Sequence, residues 1–221
     1  MKQAVEDYLK VIYKVQRRQR RVSTSAIAES LGVSAPAATS MIQRLAEMGL
    51  LRYTPYRGVE LTEKGARIAL EVIRHHRLWE LFLARALNMP LDAVHAEAER
   101  LEHALSDALE DAIDAALGHP TVDPHGDPIP SKDGTLHEPE YVPLGALPAG
   151  TRAWVRRVPD SDPALLRYLA QLGLIPGALV EVREVAPFNG PIHLRVGERE
   201  PAIGREVAGR IFVEPETPPD C

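Results

Sequence analysis

The chain has 221 residues, of which 45% are hydrophobic, 26% charged and 5% aromatic. This composition is typical of a globular protein, and the length suggests more than one domain, since a domain usually holds roughly 100–150 residues. The single cysteine, Cys221, excludes a disulfide within the chain and a cysteine-based zinc site. No apolar run resembles a membrane span or a secretory signal, so we expect a cytoplasmic protein with no membrane partner.

The charge is unevenly distributed along the chain. Residues 1–65 carry 11 Lys and Arg against 6 Asp and Glu, whereas the remaining residues carry 15 against 25. A basic N-terminal third on an acidic body indicates a domain that binds a polyanion.

Residues 1–65 predict a winged helix-turn-helix domain. Apolar residues recur with a helical period in the first segment, and Ser or Thr caps and Gly stops bound the next two helices. Two short β-competent segments then flank turn-forming residues, as in a hairpin. The predicted helices and strands cover 5–15, 25–31, 34–49, 50–54 and 59–61.

The second helix of a helix-turn-helix enters the major groove of DNA with its first turns. Here that surface consists of small and polar residues, which can contact base edges or thymine methyl groups: Ser34, Ala35, Pro36, Ala37, Thr39, Ser40 and Gln43. Arg44, Tyr56, Arg57 and the basic loop 17–21 are candidates for phosphate or minor-groove contacts. A protein-binding winged helix is the alternative, and the positive charge and lack of an apolar patch favour DNA.

Residues 66–118 predict a helical domain. Thr62 can cap a long helix over 63–87, a second helix is predicted over 91–105, and a third restarts at Ser106 and ends at Gly118. An apolar stripe suits either the core of one chain or a dimer interface, and the sequence leaves both open. It consists of Val94, Ala98, Leu101, Leu105 and Leu109.

Histidine and glutamate residues cluster in these helices. At about 100° per residue, His95, Glu99, Glu102 and His103 lie within an arc of roughly 100° on one helix face. The preceding helix offers His76 and Glu80 at spacing i, i+4. Facing helices with such residues form carboxylate-imidazole metal sites, and ligands without thiolate suit Mn²⁺ or Fe²⁺ rather than structural Zn²⁺.

These residues have two other interpretations besides a metal site: a solvated surface and a zinc protease. Glu and His at i, i+4 are common as solvated surface neighbours. Residues 99–103 also approach the inverted zinc-protease pattern His-x-x-Glu-His, but Glu99 stands where that pattern requires a histidine ligand. A protease is therefore disfavoured.

The C-terminal half changes in character. Six prolines make residues 119–143 a predicted extended linker, whose His119, His125 and His137 are interpreted as loop residues. Residues 144–216 predict a small β-barrel domain, followed by a tail over 217–221. Its strands and one helix are predicted over 153–158, 163–172, 179–185, 192–196 and 211–213.

These residues together resemble the diphtheria toxin repressor family of metal-dependent regulators over essentially the whole chain. The resemblance is carried by Glu6-Asp7-Tyr8-Leu9, Tyr56-Arg57-Gly58, Leu61-Thr62-Glu63-Lys64-Gly65, His76-Arg77-Leu78, the segment Val94 to Asp107, Gly126-Asp127-Pro128-Ile129-Pro130 and Leu172 to Gly177. It implies a mainly α protein with a small β domain: a winged helix-turn-helix, a helical dimerisation domain and a C-terminal SH3-like β-barrel.

The resemblance also implies a homodimer that binds a palindromic operator when divalent metal occupies two sites per subunit. Carried over by position, the primary site is Asp7, Glu99, Glu102 and His103. The ancillary site is His76, Glu80 and His95, completed by Asp160 or Asp162, between which the sequence does not choose.

The resemblance is to the manganese-responsive branch, because the iron-responsive branch has Met and Cys where Asp7 and Glu99 stand. Carboxylates favour the harder Mn²⁺, with Fe²⁺ or another divalent transition metal as an alternative. Lys10 stands where the short manganese regulators have a further acidic ligand. We expect a non-enzymatic repressor of metal-uptake genes; the alternatives are a winged-helix regulator of a small organic ligand and a helical-bundle metallohydrolase.

Overall fold

The computed structural model describes residues 2–17, 21–54 and 57–216. The chain divides into two compact units, and one boundary between them falls inside a single helix, after His76. The first unit comprises Met1–His76, Arg100–Glu110 and Pro130–Leu136, and the second comprises Arg77–Glu99, Asp111–Ile129 and His137–Cys221. Tyr56, residues 18–20 of the basic loop and the tail 217–221 lie outside the described residues.

The first unit opens with the predicted helices and hairpin. They are α1 (Lys2–Gln16), α2 (Thr24–Leu31), α3 (Ala35–Glu47), β1 (Leu51–Thr54) and β2 (Gly58–Leu61). The predicted caps are present: the side chains of Ser23 and Ser34 accept hydrogen bonds from Ala26 N and Ala37 N, and Gly32 ends α2 with φ of 64°. The first three helices and the hairpin enclose an aliphatic core.

The helical segment that follows contains α4 (Glu63–Ala86), α5 (Leu91–Leu101) and α6 (Asp107–Ala116). Thr62 caps α4 as predicted, since its hydroxyl accepts a hydrogen bond from Gly65 N at 3.2 Å. Within the proposed stripe, Val94 and Ala98 are fully buried, which favours a core role for these two, whereas Leu109 is 44% exposed.

The predicted end of the second of these helices is wrong. The α-helix ends at Leu101, residues Glu102–Ala104 form a 3₁₀ turn, and Leu105 is extended with ψ of 123°. The uninterrupted α-helical period predicted over 91–105 therefore stops before Glu102 and His103. In the 3₁₀ turn, the buried Glu102 side chain contacts Lys10 and His76. Tertiary contacts of this kind override a local helical pattern.

The second unit contains a six-stranded antiparallel sheet. Its elements are β3 (Val142–Pro143), β4 (Arg152–Arg157), α7 (Pro163–Leu172), β5 (Leu179–Val185), β6 (Ile192–Val196), β7 (Ala202–Ile203), α8 (Arg205–Ala208) and β8 (Phe212–Pro215). The strand order is β3-β8-β4-β5-β6-β7. Along β6 buried and exposed residues alternate, as expected of a strand with one face on a core. β3, β7 and α8, which have at most four residues each, were not predicted from the sequence.

The description of residues 119–143 as an extended linker is incomplete. Asp123, His125 and Ile129 are buried, and Val122 forms an antiparallel bridge with Pro128. His125 O accepts a hydrogen bond from Val158 N at 2.9 Å, beyond the end of β4. Gly126 (φ +91°) allows this close approach, because a Cβ there would lie 1.8 Å from Arg156 O. Prolines exclude helix from this segment, but they do not prevent it from packing.

Among the described residues, no helix is both long and apolar enough to cross a membrane.

Candidate metal centres and DNA-binding surface

The first candidate metal centre, called here the Glu102 site, consists of Asp7, Glu102 and His103 in the first unit. One donor atom from each of the three lies within 4.8 Å of the others. His103 Nε2 is 2.9 Å from Asp7 Oδ1 and 3.4 Å from Glu102 Oε1. The site joins α1, which carries Asp7, to the 3₁₀ turn, which carries the other two residues.

The immediate surroundings of the Glu102 site are buried and charged. Glu102 is fully buried; its Oε1 accepts a hydrogen bond from Lys10 Nζ at 2.6 Å, and its Oε2 lies 2.6 Å from His76 Nδ1. The other ring nitrogen of His103, Nδ1, is 2.7 Å from Glu6 Oε2. Burial raises the pKa of Asp7, and the positive charge of His103 opposes that rise.

A second layer of polar contacts supports the 3₁₀ turn from α4 and α6. His75 Nδ1 lies 3.2 Å from the backbone carbonyl of Glu102, and His75 Nε2 lies 3.2 Å from Glu110 Oε2. Arg74 donates to the same Glu110 carboxylate at 2.5 Å and to Pro130 O at 2.9 Å. Such networks orient the residues that bind a metal.

The second candidate metal centre, called here the Glu80 site, consists of Glu80, Asp123 and His125 in the second unit. Donor atoms of the three lie within 4.8 Å of one another, and all three residues are buried. Among the described residues, no hydrogen-bond partner reaches Asp123 Oδ2 or His125 Nδ1. Both atoms have charged neighbours beyond hydrogen-bond distance, since Arg77 Nε lies 3.7 Å from Asp123 Oδ2 and Glu80 Oε2 lies 3.8 Å from His125 Nδ1. Buried polar atoms are nearly always hydrogen-bonded, and carboxylate and imidazole donors in this arrangement fit a divalent transition metal.

The electrostatics of the Glu80 site depend on its three charged members. Burial raises the pKa of Asp123 well above its usual value, and the negative charge of Glu80 adds to this rise. Burial lowers the pKa of His125, but the carboxylate of Glu80, whose Oε2 lies 3.8 Å from His125 Nδ1, outweighs that effect and raises the pKa to about 9. The His125 ring is fixed on its other side, since Nε2 lies 3.1 Å from Leu91 O.

The structure distinguishes the two aspartates that the sequence left open. Asp160 Oδ2 lies 4.0 Å from His95 Nδ1, which itself lies 2.9 Å from Glu80 Oε1. Asp162 instead caps α7, where its carboxylate accepts a hydrogen bond from Leu165 N at 3.0 Å. Asp160 is therefore the better candidate beside the Glu80 site.

Each of the two units contains part of the predicted ligand sets. Asp7, Glu102 and His103 come together in the first unit, and Glu80, His95 and Asp160 come together in the second. Glu99, predicted in the primary set, belongs to the second unit, where its Oε1 is 3.8 Å from His95 Nε2. His76, predicted in the ancillary set, belongs to the first unit, beside Glu102.

Three residues in or beside these candidate sites were not predicted from the sequence: Glu6, Asp123 and His125. His125 lies in a turn, as the sequence predicted, but its side chain is completely buried, which the sequence did not indicate. One signal was available, since Asp123-x-His125-Gly126-Asp127 places three potential ligand or partner residues around a glycine in a proline-rich segment. Glu6 could be found only through its contact with His103.

The predicted DNA-binding residues of α3 form an exposed surface. Ser34, Ala35, Pro36, Ala37, Ser40, Gln43 and Arg44 are exposed. Thr39 is half-buried, and its hydroxyl donates a hydrogen bond to Ala35 O at 2.9 Å, so it is less available to a base. Arg57 is exposed in the turn just before β2, and Tyr56 lies outside the described residues.

Three protein-family models match the chain in succession. Residues 1–59 match the iron dependent repressor N-terminal DNA binding domain, and residues 62–131 match the iron dependent repressor metal binding and dimerisation domain. Residues 142–215 match the FeoA domain.

Relatives and solved structures agree with these matches. The iron-dependent repressor IdeR of Mycobacterium tuberculosis (strain ATCC 25618 / H37Rv) is 35% identical, over 95% of this chain and 96% of its own length. The diphtheria toxin repressor of Corynebacterium diphtheriae is 33% identical over 58% of this chain and 57% of its own length. A manganese-dependent transcriptional repressor in complex with manganese has a TM-score of 0.86 and 42% identity, over 95% of this chain and 98% of that chain.

These similarities decide between the interpretations that the sequence had left open. The protein is a metal-dependent, DNA-binding transcriptional repressor and not a metallohydrolase, and its matched domains indicate that DNA and a second copy of the chain are its partners. The chain belongs to the diphtheria toxin repressor family, in the long form that carries a small SH3-like domain after the dimerisation domain.

Proposed function

We propose that this repressor responds to Mn²⁺, that two metal sites per subunit lie at the Glu102 and Glu80 sites, and that the metal-bound homodimer binds a palindromic operator controlling metal-uptake genes. The observation that carries the proposal is the Glu102 site, because it joins a residue of the DNA-binding helices to two residues of the 3₁₀ turn.

The choice of Mn²⁺ follows from the donor atoms. Both sites consist of carboxylate oxygens and imidazole nitrogens, and neither includes a sulfur atom from the described residues. Oxygen and nitrogen donors suit Mn²⁺, whereas thiolates and thioethers favour softer ions. Fe²⁺ is the second candidate, because the same donors also accept it and IdeR is named for iron.

The residues of the Glu102 site connect the metal to DNA binding. Asp7 lies on α1, which packs with α2 and α3 in one core, so the position of α1 affects the recognition helix α3. A divalent ion bound at the site would supply the charge that holds Asp7 against Glu102 and His103. Glu6, which contacts His103 Nδ1, fixes that ring and leaves Nε2 directed at Asp7.

A two-fold dimer presents two recognition helices, so its operator should contain two inverted half-sites. For such dimers the half-sites lie about 34–36 Å apart, and a small error in helix orientation loses one of them. We expect the metal to favour the binding-competent arrangement by a coupling of about 1–3 kcal/mol.

The test measures fluorescence anisotropy of labelled DNA, drawn from the protein's own upstream region and from sequences selected out of a random pool. Binding is compared in chelator, Mn²⁺ and Fe²⁺ (the last without oxygen) at constant ionic strength, since salt alone changes such affinities. Glu102→Gln is compared with Glu71→Gln, an exposed control on α4 with the same charge change.

We expect tight binding only with metal, lost in Glu102→Gln and retained in Glu71→Gln. Equal binding in chelator and in Mn²⁺ would contradict the proposal. Activation by Fe²⁺ at concentrations where Mn²⁺ fails would contradict the manganese assignment but leave the site intact.

A further inference from the structure

Lys10 forms a buried ion pair inside the Glu102 site. Its Nζ lies 2.6 Å from Glu102 Oε1, and the two side chains are only 5% and 0% exposed. The same oxygen of Glu102 lies 3.4 Å from His103 Nε2. Lys10 therefore holds the carboxylate oxygen that lies next to another donor atom of the site.

Burial makes this contact more influential than a surface ion pair. Water and salt screen exposed pairs almost completely, whereas a buried carboxylate that loses its cationic partner is strongly destabilised. Lys10 also lies one turn after Asp7 on α1, so one helix carries both the cation and a candidate ligand of the site.

A divalent cation at the Glu102 site would approach the oxygen that Lys10 already occupies. The ammonium group would repel it, because two cations would then share one carboxylate oxygen in a poorly screened environment. In the metal-free protein, the same ammonium neutralises the buried Glu102 carboxylate and so stabilises the state without metal. Both effects reduce the net gain on metal binding.

We propose that Lys10 is a built-in cation that competes with the metal for Glu102 and thereby raises the metal concentration at which the repressor responds. This inference rests on the proposed function, since it requires a metal at the Glu102 site. It assigns to Lys10 the role of an affinity-setting residue rather than a ligand.

The test is calorimetric titration of the full-length protein with Mn²⁺, together with thermal melts of the metal-free forms. His125→Ala is present throughout, so that the heat reports on the Glu102 site. Lys10→Met and Lys10→Gln remove the charge, Lys10→Arg keeps it, and Lys14→Met removes a charge from an exposed position on the same helix.

We expect Lys10→Met and Lys10→Gln to bind Mn²⁺ about tenfold more tightly and to melt at a lower temperature without metal. Lys10→Arg and Lys14→Met should stay within about threefold of the parent affinity. If Lys10→Met does not fold without metal, the decision rests on Lys10→Gln, whose amide still donates a hydrogen bond to Glu102.

Unchanged or weaker Mn²⁺ binding by the uncharged variants would overturn the inference about Lys10. Failure of the proposed function gives a different result. In that case the parent protein would show no saturable Mn²⁺ binding, or binding that survives Glu102→Gln.

Discussion

Glu6 and His103 lie in contact although 97 positions separate them in sequence: Oε2 of Glu6 is 2.7 Å from Nδ1 of His103. A carboxylate in this position fixes the orientation of the ring and the nitrogen that remains for a metal. The relationship makes Glu6 a positioning residue for the Glu102 site, and it gives the first prediction.

Glu6→Gln should weaken Mn²⁺ binding at the Glu102 site by about 10–100-fold, the usual cost of losing such an orienting partner. Calorimetric titration measures the affinity, and Glu71→Gln serves as the exposed control. An unchanged affinity in Glu6→Gln would show that His103 is oriented by other contacts.

His125 should titrate far above an ordinary histidine in the metal-free protein. Its pKa is raised to about 9, chiefly through Glu80, against the opposing effect of burial. The pKa of His125 is therefore higher in the folded protein than in the unfolded chain. Protonated His125 stabilises the folded protein fully below about pH 6.5, and this contribution is lost as the pH rises through about 9.

NMR of the imidazole nitrogens against pH, in chelator, measures this value directly. In Glu80→Gln the pKa of His125 should fall, because the carboxylate that raises it is gone. A value near 6.5 that is the same in both proteins would contradict the arrangement of the Glu80 site.

Gly126→Ala should disrupt the packed loop that carries Asp123 and His125. The new Cβ would lie 1.8 Å from Arg156 O, and φ is +91°. We expect a loss of at least about 2 kcal/mol in the free energy of unfolding, and weaker Mn²⁺ binding at the Glu80 site.

Gly177→Ala is the matched control for this change, since Gly177 has φ of +89° but a Cβ added there would have no atom within 4 Å. Gly177→Ala should lower the free energy of unfolding only by the backbone strain, about 1 kcal/mol. Chemical denaturation compares the two variants, and equal losses would mean that the contact with Arg156 is unimportant.

Asp160 and Asp162 should respond differently to substitution by alanine. Asp160→Ala should weaken Mn²⁺ binding at the Glu80 site by at least about tenfold, because its carboxylate lies beside His95. Asp162→Ala should instead cost about 1 kcal/mol of stability through loss of the α7 cap, with unchanged metal affinity. Calorimetric titration with Mn²⁺ and thermal melts of both variants separate metal binding from helix capping. Weaker Mn²⁺ binding in Asp162→Ala, with unchanged binding in Asp160→Ala, would contradict this assignment.

Gln43 and Arg44, both exposed on α3, should contribute to DNA binding in different ways. Gln43→Ala should relax the preference for one base pair by about 1–3 kcal/mol. Arg44→Ala should weaken binding to all sequences and lower the slope of log affinity against log salt by about 1. Anisotropy titrations on operator and scrambled DNA at several salt concentrations measure both effects, and a sequence-specific loss in Arg44→Ala would contradict the phosphate assignment.

Much of the fold was predictable because its signals are local. Ser23, Ser34 and Thr62 cap helices through their own side chains, and Gly32 and Gly173 end helices because they adopt positive φ. The longer strands β5 and β6 were predicted within their observed bounds, since β-branched residues recur over enough positions. Elements of two to four residues, such as β3 and β7, contain too few residues to show a period.

The sequence by itself determined the types of donor atom, the order of the domains and the absence of sulfur from the predicted ligands. Only the tertiary structure decided which donors meet. It placed Glu6 on His103, Lys10 on Glu102, and His125 beside Glu80, and it assigned Asp162 to a helix cap. The physical reason is that a helical or strand period fixes neighbours only within one element. Contacts between residues tens of positions apart depend on how the elements pack, and burial then sets the charges and pKa values of the groups brought together.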